Sequence, residues 1–289
     1  MVECTNSSAY KFGVLSAEEL PALRQELLEK AAAISPELYG TILLTQEGLN
    51  IRLSGPTPAV LAMQQVLNSL HPNLGSIYFK DSLSSGPTLR KFLVRIKKEV
   101  ISMGMPSVQP AMTGLAAHVS PCEFKAWMDA GKDMLVLDTR NDYEVRLGTF
   151  KSAVDLGIKS FRVFPDAAKE QLKEVPKTKP IVMFCTGGVR CEKASYALLQ
   201  SGHENVFQLD GGILKYFEDC GDAHYNGDCY IYDDRVALTP ALTKAEHIAM
   251  CYVCRNPLTL AEQSSPEFVP QQSCPYCFGG KRTDFRSVH

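Results

Sequence analysis

The residues with the sharpest chemical potential stand in the segment IVMFCTGGVRCEKAS, residues 181–195. A continuous apolar run ends at Phe184. Cys185-Thr186-Gly187-Gly188-Val189-Arg190 follows as a short loop, before a helix expected to begin near Cys191. Ligands of open α/β sheets bind at the carboxyl ends of strands, which is where this loop falls. Two glycines let the backbone curl so that successive N–H groups turn inward as an anion nest. The next helix adds the partial positive charge of its N-terminus. Such a setting lowers a thiol pKa and would hold Cys185 as a thiolate, or steady an anionic persulfide. Thr186, Gly187, Gly188 and Val189 would line that anion, and Arg190 is a permanent cation able to fork onto an oxyanion. The bland alternative for Cys185 is an inert buried thiol, which the Gly-Gly and Arg behind it disfavour. Cys191 could resolve an oxidised Cys185 as a disulfide, or merely pack at the start of the helix.

Two further groups have chemistry in their spacing. Cys251-x2-Cys254 and Cys274-x2-Cys277 are 19 residues apart, within the range of a tetrathiolate zinc site. Each pair supplies two sulfurs from a tight turn, and the closed ligand set makes the site structural and non-catalytic. A tail with so few aliphatic residues would take its folding energy from the metal. The alternatives are a pair of disulfides or a disordered, redox-labile tail. In TLRKFLVRIKK, Arg90, Lys91, Arg95, Lys97 and Lys98 place five positive charges in nine residues. Strand alternation puts Phe92, Val94 and Ile96 on one face and Lys91, Arg95 and Lys97 on the other. That face suits phosphate tracking, or is a solvated edge strand carrying cations against aggregation.

The rest of the chain sets the frame for these groups. Its 289 residues are about twice a common domain size, so two domains and an appendage are expected. Thirty Lys+Arg oppose 32 Asp+Glu for a net charge of -2, so any nucleic-acid surface must be a local patch. No apolar run approaches the ~18 residues of a membrane helix, and the first residues lack a secretion signal; a soluble cytoplasmic protein is the expectation. Ten cysteines in such a compartment are better read as metal ligands or reactive thiols than as disulfides.

Residues 1–112 read as β-α-β-β-α-β, the ferredoxin-like (acylphosphatase-like) α+β arrangement. The first strand falls around Lys11 to Leu15. Ser16 and Glu19 form a capping box before a helix, and a hairpin is hinged at Glu47-Gly48. Thr57-Pro58 opens a helix with Val60, Met63, Leu67 and Leu70 at helical spacing, and one last extended region runs from Ile77 through Val100. A linker is expected near residues 103–114. Residues 113–225 carry short buried strands at 134–138, 181–184 and 206–209 between helices, one capped by Ser120-Pro121 and Glu123 and bearing Trp127. That alternation implies a parallel α/β sheet. Residues 226–289 form the Cys-rich extension.

Cys-x-x-Gly-x-Arg between strand and helix resembles the active-site loop of the rhodanese family. LDTRNDYEVRLGTF is similar to that family's Asp-x-Arg…Glu-Tyr/Phe…Gly-His-Ile signature, and LDGGILKYF to its closing Gly-Gly segment. Asp138, Arg140 and Glu144 fall on the matching positions. The sequence departs from the pattern at Thr149, where many rhodaneses have His, and at KSAVD, where Gly-Ala is usual. CTGGVRCEKAS, NDYEVRLGTFK, GTILLTQEGLN and YIYDDRVAL together resemble one subfamily, the rhodanese-domain tRNA uridine hydroxylases.

The resemblance implies oxygen-dependent formation of 5-hydroxyuridine at the wobble position of a tRNA anticodon loop, with Cys185 active as a persulfide. It also favours RNA on the strand bearing Arg95 and Lys97. In the hairpin, Glu47, Gly48 and Asn50 either shape the domain face toward the rhodanese unit or are plain turn residues. The resemblance brings Asp233, Asp234 and Arg235 back to that domain, with Arg235 facing substrate or held in a salt bridge. The Cys-rich knuckles could contact RNA as well as zinc. No nucleotide or flavin signature and no facial triad is visible, and no protein partner is evident. The rival readings are a sulfurtransferase that carries sulfane sulfur on Cys185, and a non-catalytic RNA-binding scaffold.

Overall fold

The computed structural model describes residues 3–105, 108, 110–113 and 116–280. The chain divides into two compact units, Met1–Leu115 and Ala116–His289. Among the described residues no helix is long and apolar enough to cross a membrane.

The first unit contains β1 (Cys4–Phe12), α1 (Leu20–Ile34), β2 (Tyr39–Thr45), β3 (Gly48–Pro56), α2 (Thr57–Asn68), β4 (Lys80–Ser84) and β5 (Phe92–Ile96). They form one sheet in the order β4-β1-β3-β2-β5. Pairing is antiparallel except between β2 and β5. Leu20, Leu23 and Leu27 of α1 and Val60, Met63 and Leu67 of α2 pack on Ile42, Leu44, Leu49, Ile51 and Val94 of the sheet. Helical spacing of large aliphatics against a sheet face accounts for that core. Leu70 is also buried, just beyond the end of α2.

Three expectations for this unit need correction. The first strand begins at Cys4 and ends at Phe12, short of Leu15. Its CTNSS start shows no apolar alternation because the strand buries polar groups that satisfy one another. Asn6 donates to Ser84 Oγ at 2.8 Å and accepts from Ser54 Oγ at 2.8 Å and Thr88 Oγ1 at 2.6 Å. Second, the last extended region is two strands, on opposite edges of the sheet. Third, Ser16 and Glu19 exchange their reciprocal bonds (3.0 and 3.3 Å) in a turn before α1, whose first residue is Leu20.

The hairpin has a two-residue turn, Gln46-Glu47, with Thr45 paired to Gly48. Gly48 has φ +129°, and a Cβ there would lie 2.0 Å from the Lys11 carbonyl oxygen, so only glycine fits. Of the expected linker, residues 106–107, 109 and 114 lie outside the described residues; Pro110–Thr113 form the short helix α3.

The second unit is a parallel sheet in the order β6-β11-β10-β7-β9. Its strands are β6 (Ala117–Val119), β7 (Leu135–Asp138), β9 (Val154–Asp155), β10 (Ile181–Phe184) and β11 (Val206–Leu209). β10, the central strand, is buried at all four positions, as its unbroken apolar run requires. The helices are α4 (Pro121–Asp129), α5 (Asp142–Val145), α6 (Phe164–Gln171), α7 (Val189–Gln200) and α8 (Gly212–Cys220). Ser120 caps α4 by accepting the Glu123 N–H at 3.3 Å. α4 packs on α8, and α6 on α7. Phe124, Phe150, Phe184, Tyr216 and Tyr225 form an aromatic cluster beneath α4 and α8.

Beyond the sheet, β12 (Tyr225–Gly227) pairs with β8 (Gly148–Phe150), and β13 (Cys229–Tyr230) with β14 (Ala237–Leu238). The tail adds a small hairpin, β15 (Ala249–Met250) and β16 (Pro257–Leu258), and a single-turn helix, α9 (Leu260–Gln263).

Candidate active site and metal centre

β10 ends with Phe184 opposite Asp138 of β7, so the residues after both strands emerge together at the carboxyl edge of the sheet. Gly188 takes the left-handed conformation, φ +103°, and turns the chain into α7, which starts at Val189, two residues before the expected Cys191. The turn brings the Gly188 N–H onto Cys185 Sγ at 3.0 Å. The backbone N–H of Arg190 also reaches this sulfur, and the Cys191 thiol is hydrogen-bonded to it. Burial opposes ionisation of Cys185. The Cys191 hydrogen bond, the Arg190 charge and the two amides outweigh it and hold Cys185 well below the ordinary thiol range. Cys191, wholly buried and facing that anion, is pushed up and keeps its proton. Its sulfur also lies 3.8 Å from Thr139 Oγ1.

The Arg190 guanidinium does not stand open for a substrate oxyanion, as the loop alone suggested. It forks onto the buried Glu144 carboxylate at 2.5 and 2.8 Å. Glu144 also accepts the Asn141 N–H at 3.1 Å and the Tyr232 hydroxyl at 3.1 Å. Burial alone would raise its pKa, but the charge and hydrogen bonds of Arg190, then Arg140 and the Asn141 amide, lower it. Asp138 and Arg140 make a second fork, both 0 % exposed, with contacts of 2.6 to 3.2 Å. Arg140 also donates to the Gly148 carbonyl at 2.6 Å. Thr149, which replaces the histidine of the common pattern, donates to Asp138 Oδ2 at 2.8 Å and so supports this fork.

Cys251, Cys254, Cys274 and Cys277 bring their sulfurs within 4.8 Å of one another. The individual separations of 3.5, 3.7 and 3.9 Å are too long for disulfides. They match the ~3.8 Å between thiolates that share a tetrahedral ion at ~2.3 Å. Arg255, at φ +65°, turns the chain after the first pair, and Gly279, at φ +69°, after the second. The Cys274 N–H caps Cys277 Sγ at 3.2 Å. Four sulfur donors in this arrangement fit a soft divalent ion and leave it no open position.

A family model described as "UPF0176 acylphosphatase like domain" matches residues 4–100, and one described as "Rhodanese-like domain" matches residues 120–219. The tRNA uridine(34) hydroxylase of Cupriavidus taiwanensis is 43% identical over 285 residues, 97% of this chain and 98% of that protein. The tRNA uridine(34) hydroxylase of Burkholderia vietnamiensis is 41% identical over 280 residues, 94% and 96% of the two chains. This chain belongs to the tRNA uridine(34) hydroxylase family. Among solved structures, a rhodanese-like domain from Anabaena sp. covers 39% of this chain and 80% of its own, at 18% identity and a TM-score of 0.34.

Within this family member the loop residues 185–191, the Asp138–Arg140 fork and Glu144 come together. Arg235 forks onto Asp233 in its own turn, at 2.6 to 3.1 Å, which is the salt bridge set beside a substrate-facing role. The same stretch reaches the site through Tyr232, which the sequence reading missed. Tyr232 also shares a 2.9 Å hydrogen bond with Tyr143, and burial pushes its pKa up, so it stays a neutral donor. The pairing spans 88 residues and gives no local signal beyond the aromatic spacing of YIYDD.

Arg95, on β5 of the first unit, and Lys97, just past the end of that strand, lie exposed. The expected apolar face of that strand stops at Val94. Ile96 is 43% exposed because β5 is an edge strand with a neighbour on one side only. Glu47 and Asn50 bond the backbone of Val100 after β5, which is a role within their own unit.

Glu144→Gln leaves the buried Arg190 without its counter-charge. By equilibrium urea unfolding near neutral pH, this variant should lose roughly 3–5 kcal/mol relative to wild type. The contribution of a carboxyl with a depressed pKa is complete above its ordinary value of 4.5 and vanishes as pH falls through the lower folded value. The gap between the two proteins should therefore hold down to about pH 4.5, narrow below it, and close as pH falls through the folded value. An equal stability at pH 7 would contradict a charged fork.

Proposed function

We propose that this chain hydroxylates C5 of uridine 34 in the anticodon loop of tRNA, forming 5-hydroxyuridine with molecular oxygen as co-substrate. The observation that carries the chemistry is the Gly188 amide on Cys185 Sγ inside a fully charge-paired surround. A sulfur anion adding to C6 of the uracil ring makes C5 electron-rich and open to an oxidant; its departure restores the ring double bond. One oxygen atom replaces the C5 hydrogen. The other leaves as water, with two electrons and two protons from a reductant.

Cys185 is 0 % exposed, which favours a persulfide over a bare thiolate as the acting form. A second sulfur extends the reach by about 2 Å, while the amides and the Arg190 charge continue to steady the anion. Cys191, which holds its proton beside Cys185, is placed to return a proton or to close on an oxidised sulfur as a disulfide. Glu144 and Tyr232 orient Arg190. Asp138 and Arg140 brace the adjacent strand end.

Binding is assigned to Arg95, Lys97 and their exposed neighbours Lys91 and Lys98, which track tRNA phosphates, while the unstacked wobble base enters the rhodanese unit. The four tail cysteines hold Zn2+ as a structural ion. The workplace is the cytoplasm, where tRNA is found.

Nucleoside mass spectrometry of total tRNA from a strain lacking this protein should show 5-hydroxyuridine restored by the wild-type chain and not by Cys185→Ser. Full restoration by that variant would remove the sulfur from the mechanism. A Cys185-dependent transfer of sulfane sulfur to cyanide without any change in tRNA would select the sulfurtransferase reading instead. The double variant Arg95→Glu, Lys97→Glu should weaken tRNA binding at low salt and flatten the log–log salt slope by about 1.4–1.8. An unchanged slope would place the phosphate contacts elsewhere. Elemental analysis of protein purified under reducing conditions should find one zinc per chain, lost together with thermal stability in Cys254→Ser. Absence of metal from the wild-type protein would refute the zinc assignment.

A further inference from the structure

We propose that Cys122 and Cys220 are a redox modification site: a reversible disulfide that clasps the first and last helices of the rhodanese unit, formed with a peroxide as oxidant. The remaining eight cysteines have other places. Cys4 and Cys229 are buried, Cys185 and Cys191 form the loop pair, and four sit in the tail cluster. Cys122 is the one exposed cysteine among the described residues, and Cys220 is half-buried. Their sulfurs are 3.9 Å apart although 98 residues separate them in sequence. Closing to a disulfide needs an approach of roughly 2 Å, a side-chain rotation between two helices already in contact.

The surroundings divide the two roles. Cys122 follows Pro121 in the first turn of α4 and is exposed, so a peroxide in solvent reaches it before Cys220. Lys125, one turn on, lies within electrostatic reach of both sulfurs. Cys220 donates its hydrogen bond to Cys122. Burial and that bond push Cys220 up to about 11, so it keeps its proton. Cys122 is accordingly the attacking sulfur and Cys220 the resolving one.

In the first step Cys122 gives its proton to solvent and the resulting thiolate attacks one peroxide oxygen. An S–O bond forms, the O–O bond breaks, and the departing hydroxide takes up that proton as water. In the second, the Cys220 sulfur attacks Cys122. The S–S bond forms, the S–O bond breaks, and the departing hydroxide takes the Cys220 proton as water. Two thiols are oxidised by two electrons and one peroxide is reduced to two waters. Thiol exchange with a small reductant reverses the product.

The clasp would fix α8, whose other end supports the catalytic loop. The Ile213 and Leu214 amides donate to the Cys185 and Thr186 carbonyls at 3.0 and 3.2 Å. It is therefore a link between the solvent redox state and the helix that holds the loop, distinct from the chemistry at Cys185.

The test uses the full-length, reduced, metal-loaded protein. Hydrogen peroxide is added in stoichiometric steps, remaining thiols are blocked with N-ethylmaleimide, and peptides are mapped without reduction. A Cys122–Cys220 linked peptide should accumulate, with an upward shift of several degrees in the thermal midpoint that dithiothreitol reverses. Cys122→Ser should abolish both the peptide and the shift. Cys220→Ser should leave a Cys122 sulfenic acid that dimedone traps. The proposal is overturned if Cys122 stays reduced, goes on to sulfinic acid in the wild type, or links to Cys122 of a second copy. A Cys185–Cys191 peptide maps separately, so failure of the catalytic reading and of the clasp are told apart.

Discussion

Burying a charge without a partner is prohibitive, and the rhodanese unit places a series of charges at one end of its sheet. Cys185, Arg190, Glu144, Arg140 and Asp138 alternate in sign, and every one is almost completely out of water. With Cys185 protonated, the two guanidiniums balance the two carboxylates. Ionising Cys185 adds one uncompensated negative charge, which must be met by dipoles. Those are the Gly188 and Arg190 amides at the start of α7. The position of each surrounding element follows from that requirement.

The geometry of the bend answers it from both sides. The nest works only if the loop amides face the sulfur, so the carbonyls must turn the other way and find donors there. They meet the N-terminus of α8, whose amides take the Cys185 and Thr186 oxygens. Gly212 permits that approach: it has φ +66°, and a Cβ would fall 2.4 Å from the Cys185 oxygen. One helix start thus faces the sulfur, and a second holds the back of the same loop. The price is closure. The sulfur is anionic but wholly buried, and a substrate must either meet a sulfur carried on Cys185 or find the site opened.

Much of this was legible because it is local. The buried strand 181–184, the Gly-Gly bend, and the Asp138–Arg140 pair two residues apart are each written in contiguous sequence. The paired cysteines of the tail are too. What escaped lies in long-range pairing. Nothing near Arg190 announces that Glu144, 46 residues earlier, will occupy its guanidinium. Nothing in YIYDDRVAL distinguishes the tyrosine that returns to the site from the arginine that folds back on Asp233. In the first unit, β1 was misplaced because its buried residues are polar and satisfied by Ser54, Ser84 and Thr88. The span Ile77–Val100 reads as one extended region because which sheet edge each half joins, and whether it pairs antiparallel (β4) or parallel (β5), is set by distant strands.

The most direct measurement of the central claim is the pH titration of the Cys185 thiolate, followed as the difference in ultraviolet thiolate absorbance between the wild-type protein and Cys185→Ser. The nest and the paired charges predict a thiolate that persists through neutral pH, far below the ordinary thiol value of 9.0. A Cys185 that gains its proton at or above that value would show that the amides do not hold a negative sulfur, and would contradict the account.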